Sequence, residues 1–222
     1  EEELRSAALT MANAKSLATE EDLGIEMAPH STLNSWLQRL LFLLTGNFGN
    51  EGGMNIPTRL APICGHSAEG TTEPVTGTPM LCGLVACAAI PDAIDTDHPD
   101  RFRGMIVDSS NPVHTLPDSK RFREAFAKLE CLVVIDVAMT ETARQAHYVL
   151  PASSQYEKPE ATFFAGEMPS NYFHIRQPIF EPLGETLPEA EIYSRLVEAM
   201  GGEPDGVEEL ADAAKESRES FI

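Results

Sequence analysis

The chain has 222 residues, 35 acidic against 16 basic, and a formal net charge of −19. Such a surface repels phosphate backbones and argues against nucleic acid as a partner. The length suits one large α/β domain or two small ones, with a core that needs neither disulfide nor metal.

Cysteines stand at 64, 82, 87 and 131 and form no Cys-x-x-Cys pair, so neither a zinc ribbon nor a ferredoxin-like cluster is written here. They read as buried or free thiols, with one disulfide left open. The longest apolar run, Leu40 to Leu44, is far too short to insert in a membrane. A basic leader is lacking and the chain starts at Glu1, so the expectation is an internal fragment of a longer protein. The compartment is left open, a cytoplasmic setting being preferred to a periplasmic one.

Residues 2 to 14 are good helix formers. Leu23 to Met27 reads as a short strand or a turn. Ser31 or Thr32 is expected to cap a helix with apolar residues at Leu33, Trp36, Leu37, Leu40, Leu41 and Leu44, the helical i, i+3, i+4, i+7 spacing. Gly46 fits the left-handed position that ends it. The glycine-rich stretch from Gly46 to Gly53 follows a helix rather than a strand, so a helix stop explains it better than a phosphate cradle.

Residues 54 to 79 are irregular, with prolines at 57, 62, 74 and 79. Met80 to Ile90 is a small apolar helix or strand. Asp92, Asp95, Asp97, His98 and Asp100 lack the spacing of a calcium loop and read as a solvated acidic turn. Gly104 to Val107 is a buried-strand candidate, and Asp118 is placed to cap a helix from Lys120 to Leu129. Leu132 to Ile135 is a strand apolar enough to be buried on both faces. Strand, helix and strand together make a βαβ unit. Thr140-Glu141-Thr142 has the composition of a helix start, with a hydroxyl cap and an acid in the first turn. Tyr148 to Leu150 is a third strand, Tyr172 to Ile175 another candidate, and Glu189 to Met200 a helix stopped by Gly201 and Gly202. Residues 1 to 202 are expected to form the α/β domain, and 203 to 222 an acidic tail.

The two strand ends at Asn111 and Asp136 should open beside each other at one sheet edge, where open parallel sheets take ligands. A carboxylate there suits ribose hydroxyls, or the two parallel N–H donors of a guanine edge. Ser109, Ser110, Thr140 and Thr142 offer hydroxyls, the helix start near Thr140 offers N–H groups for phosphate, and Lys158 offers a cation. The residues fit equally a turn at Asn111-Pro112, a strand-ending cap at Asp136 and an ordinary helix cap at Thr140. No nucleophile elbow or His-Glu-x-x-His appears, and the six histidines are scattered.

Taken in order, Leu44-Thr45-Gly46-Asn47-Phe48-Gly49, Gly52-Gly53, Ser110-Asn111-Pro112, Val133-Val134-Ile135-Asp136, Thr140-Glu141-Thr142-Ala143, Val149-Leu150-Pro151 and Glu157-Lys158 resemble the molybdopterin oxidoreductase family. That group includes dimethyl sulfoxide reductase, formate dehydrogenases and periplasmic nitrate reductase. The resemblance runs from about residue 20 to 202. It implies a Rossmann-like, mainly parallel sheet with helices on both faces. It also implies a role in holding the guanosine end of a molybdopterin guanine dinucleotide carrying molybdenum or tungsten.

By the same resemblance Asn111, Ile135, Asp136 and Lys158 fall on cofactor-binding positions. Glu189 opens the last helix, and Leu23 to Met27 is a turn facing the cofactor, with Met27 where glutamine is common. Ala146-His147 stands in place of Ala-Asp, and Pro159-Glu160 in place of a glycine turn. The metal ligand and iron–sulfur cysteines would lie outside this stretch. The expected partners are the remaining domains of the parent chain and electron-transfer subunits. The alternatives are a guanine-nucleotide module and a structural subunit without redox chemistry.

Overall fold

The computed structural model describes residues 1–54, 70–161 and 172–202. The chain divides into two units, one of residues 1–61 and 162–173, the other of 62–161 and 174–222. The acidic tail and most of the irregular connection fall outside the described residues.

In the first unit, α1 spans Glu2–Ala12, α2 Leu23–Glu26 and α3 Ser31–Leu44. The segment expected as strand or turn is therefore a helical turn, because the Asp22 carboxylate caps it by accepting from the Leu23 N–H at 2.7 Å. Neither Ser31 nor Thr32 caps α3. His30, with φ 62°, takes the N-cap position without a side-chain bond. The helix ends as expected, at a left-handed Gly46 with φ 71°.

The glycine-rich loop after it closes on itself. Asn47 is buried and accepts from the Leu17 N–H through Oδ1, while its amide donates to Thr45. A Cβ on Gly53 would stand 2.1 Å from the Asn47 carbonyl oxygen, so only glycine fits there. The Gly49 N–H donates to the Met54 carbonyl and that of Gly53 to Asn50. These donors are spent on the loop.

The second unit is the α/β body. Its strands are β1 (Gly104–Asp108), β2 (Cys131–Asp136) and β3 (Tyr148–Pro151), all parallel, in the order β1-β2-β3. Ahead of them lies α4 (Ile90–Ile94). Between β1 and β2 come α5 (Pro112–Thr115) and α6 (Ser119–Phe126). A two-residue antiparallel pair follows, β4 (Glu160–Ala161) with β5 (Ile175–Arg176), and α7 (Glu189–Ala199) ends the described chain. Met80 to Ala86 is neither helix nor strand. Cys82 at φ 54° and Gly83 at φ 78° make a tight turn there, and helix begins only past it. Of the Tyr172 to Ile175 candidate, only Ile175 is in a strand.

Helices cover both faces of the sheet. Side chains alternate along each strand. Val107, Leu132, Val134 and partly buried Val149 face one core with Phe122, Ala125, Phe126 and Leu129 from the α6 segment. Ile135 and Leu150 face the other, with Ile192 and Leu196 of α7. The Asp118 carboxylate caps α6 by accepting from the Arg121 N–H at 3.1 Å. Phe122 and Phe126 pack edge to face with centroids 5.8 Å apart. Burial of each contributes about 1.5–3 kcal/mol. Arg121 pairs with Asp92 and Lys128 with Asp95, so two of the acids before β1 tie α4 to α6.

Candidate functional site

The carboxyl edge of the sheet is closed by two carboxylates, one residue out of register. Asp108 ends β1 and Asp136 ends β2, and Asp108 pairs with Ile135. Paired residues of a parallel ladder share a face, and successive residues alternate. Asp136 therefore points to the α6 side, with Leu132 and Val134, whereas Asp108 points to the α7 side, with Ile135.

On the α6 side the structure brings two of the expected residues, Asn111 and Thr142, into direct contact. Asn111 Oδ1 accepts from the Thr142 N–H at 3.1 Å and from the Thr142 hydroxyl at 2.8 Å. Its amide donates to Glu141 Oε2 at 2.7 Å. That bond, the first of several causes, holds the Glu141 carboxyl below its ordinary value. The loops after β1 and β2 are thus stitched side by side through Asn111. Asp136 Oδ1 accepts from the Ala138 N–H at 3.1 Å, and among the described residues Oδ2 takes no hydrogen bond. Ser110 is exposed beside Asn111, and Thr140 is half-buried.

Three of the expected residues sit otherwise than the sequence suggests. Thr142 is fully buried, its hydroxyl also accepting from the Val113 N–H at 3.1 Å, so it clamps two loops and cannot reach a ligand. The Ile135 side chain is sealed in the core, and its carbonyl receives the Ser109 N–H at 2.9 Å. The helix start at Thr140 is only a three-residue turn, Ala143–Gln145. Its N–H groups are consumed locally: Thr140 to Ala138, Thr142 to Asn111, Ala143 to the Thr140 hydroxyl and Arg144 to the Thr140 carbonyl. A turn that short, with its donors spent, has neither the dipole nor the N–H groups to hold a phosphate.

On the α7 side Lys158 and Glu189, read separately in the sequence, form one ion pair at 2.5 Å, with side chains only 15% and 24% exposed. Lys158 is therefore not the free cation that a phosphate would need. Ser154 and Leu183 donate their N–H groups to Glu157, which holds that carboxyl low and ties the loop after β3. Leu23 and Met27 belong to the first unit, both exposed on α2 and at its end.

Sequence reasoning passed over Asp108, Glu141 and Tyr193. The Tyr193 hydroxyl donates to Asp108 Oδ2 at 3.0 Å. Burial, then this bond, pushes the phenol up to about 12. Asp108 ends an apolar run as Asp136 does, and that parallel was the available signal. Tyr193 carried none beyond lying four residues after Glu189. His147, in place of the usual acid, accepts from the Leu132 N–H through Nδ1 at 2.9 Å, so it serves the β2–β3 pairing.

A parallel sheet wrapped by helices, with carboxylates and hydroxyls at its carboxyl edge, defines an open α/β domain of the kind that takes ligands across that edge. The family model described as molybdopterin oxidoreductase matches residues 29–199, and the chain belongs to that family. Trimethylamine-N-oxide reductase of Vibrio vulnificus is 32% identical over 127 residues, 53% of this chain and 15% of the reductase. Biotin sulfoxide reductase of Cereibacter sphaeroides is 32% identical over 107 residues, 48% of this chain and 14% of that protein. The chain thus matches about one seventh of the length of these relatives. Acetylene hydratase from Pelobacter acetylenicus shares the fold, with a TM-score of 0.74 at 21% identity over 90% of this chain and 32% of the hydratase.

Proposed function

We propose that this chain is the part of a larger molybdenum or tungsten oxidoreductase that holds the guanosine end of a molybdopterin guanine dinucleotide. The parent enzyme would carry out oxygen-atom or two-electron transfer. Molybdenum–pterin chemistry comes from the cofactor; the protein supplies binding, orientation and electrostatics.

The observation that carries this reading is the acceptor-rich edge, where among the described residues one Asp136 oxygen takes no hydrogen bond. Asp136 and Glu141 lie on its α6 side and Asp108 on its α7 side, while Lys158 is already paired with Glu189. Such an edge repels an anion but suits a group that brings hydrogen-bond donors. A guanine N1–H and N2–H pair, or ribose hydroxyls, are donors of that kind. Asp136 would take the base or ribose, with Ser110, Asn111 and the Thr140 hydroxyl beside it, and the pyrophosphate would be held by other residues of the parent. The relatives' names, reductases of an N-oxide and of a sulfoxide, support an oxidoreductase as the parent.

The test is Asp136→Ala in the full-length parent, with guanine nucleotide released by acid and measured per mole of protein. The expected result is roughly a tenfold loss of bound nucleotide, the effect of losing hydrogen bonds to a charged acceptor. Unchanged loading would remove Asp136 from the site.

A further inference from the structure

Resting on the guanosine-end reading above, we infer that Tyr193 is a positioning residue, acting through Asp108 to set the turn that presents Ser110 and Asn111 to the ligand. Ser109 has φ 50°, a left-handed conformation that a residue with a Cβ resists. Something must hold it there, since an extended Ser109 would carry β1 onward and swing the next two residues away from the β2 loop.

Three hydrogen bonds converge on this residue and its neighbour. The Ser109 N–H donates to the Ile135 carbonyl at 2.9 Å, which anchors the turn to the end of β2. The Ser109 hydroxyl donates to Asp108 Oδ1 at 2.8 Å. Asp108 Oδ2 in turn accepts from the Tyr193 phenol at 3.0 Å. Both oxygens of Asp108 are thus engaged, one by the turn and one by α7.

The register explains why α7 makes this contact. Asp108 shares its sheet face with Ile135, and Ile135 packs on Ile192, the residue before Tyr193. Glu189 stands one helical turn before Tyr193 on α7 and holds Lys158. One face of α7 therefore pins the end of β1 through Tyr193 and the loop after β3 through Glu189. Asn111 inherits the result: its Oδ1 meets Thr142 only if the Ser109 turn delivers it there.

Tyr193 touches no part of the proposed ligand groove itself. Its removal should loosen the nucleotide without removing a contact to it. The experiment is a double-mutant cycle in the full-length holoenzyme with Tyr193→Phe, Asp108→Asn and both together, beside Asp136→Ala. The readouts are the rate at which guanine nucleotide dissociates and the melting temperature of the cofactor-free protein.

The expected outcome is roughly tenfold faster dissociation for Tyr193→Phe, the effect of one hydrogen bond to a charged group. The double variant should be no worse than the more damaging single one, because both act on the same bond, one removing its donor and the other the charge of its acceptor. The melting temperature of the cofactor-free protein should move by no more than a few degrees. Unchanged dissociation in Tyr193→Phe, or additive effects in the double variant, overturns the inference. So does a large fall in melting temperature without faster dissociation, which marks a merely structural tyrosine. Should Tyr193→Phe not accumulate as folded enzyme, Asp108→Asn alone must speed dissociation for the inference to stand. If Asp136→Ala also leaves dissociation unchanged, the guanosine-end reading itself has failed. If Asp136→Ala releases nucleotide and Tyr193→Phe does not, only the positioning role has failed.

Discussion

Glu73 is a carboxylate buried in a turn, satisfied by its own neighbours. It accepts from the Val75 N–H at 3.0 Å, from the Thr76 N–H at 2.6 Å and from the Thr76 hydroxyl at 2.7 Å. Burial pulls its pKa up, but these donors outweigh burial and hold it below the ordinary 4.5. A carboxyl with a depressed folded-state value stabilises the fold above its unfolded value. The contribution fades as pH falls through the folded one. Replacing Glu73 by Ala should cost about 1–3 kcal/mol at neutral pH, since two partly exposed N–H groups lose a charged acceptor. Urea unfolding of both proteins at pH 7 and at pH 3 checks this: the gap between them should narrow at the lower pH. Asn111 and Thr142 show the same logic at the site, where one amide and one buried hydroxyl join the two loops.

At the scale of elements, the Lys158–Glu189 pair joins the loop after β3 to the first turn of α7. Its side chains are mostly buried, so its strength should lie between that of exposed and fully buried pairs. Glu189→Gln should therefore cost about 1–3 kcal/mol, and a cycle with Lys158→Met should give a coupling clearly different from zero. A coupling within error of zero, measured by chemical denaturation, would mean that the pair is incidental.

Elements with a strong period were legible: α6 from Phe122, Ala125 and Phe126 behind its Asp118 cap, though it ends at Phe126 rather than Leu129, β2 from its apolar run, and α7 from Glu189 to the glycines that stop it. The three-residue turn after Thr140 was not. Hydroxyl–acid–hydroxyl composition suits a helix cap and a local turn alike, and only the hydrogen-bond partners separate them. Lys158 read as a free cation for a similar reason, since its partner lies 31 residues away in sequence. That the loops carrying Asn111 and Asp136 leave the same edge of the sheet did follow from the βαβ pattern. That Thr142 would be buried beneath them did not, because burial depends on packing rather than on composition.

At the scale of the molecule, α3 turns Leu33, Trp36, Leu37, Leu41 and Leu44 outward in its unit and buries only Phe42. The period was right, but it reports amphipathicity and not which surface meets the stripe. Among the described residues no helix is long and apolar enough to cross a membrane. The net charge of −19 makes a polyanionic partner a poor fit for the molecule as a whole.

The most direct measurement is an experimental structure of the cofactor-loaded parent enzyme. The account predicts a guanine or ribose within hydrogen-bond distance of the Asp136 carboxylate, in the groove between the loops after β1 and β2. Finding that groove filled by protein side chains, with the nucleotide bound elsewhere, would contradict it.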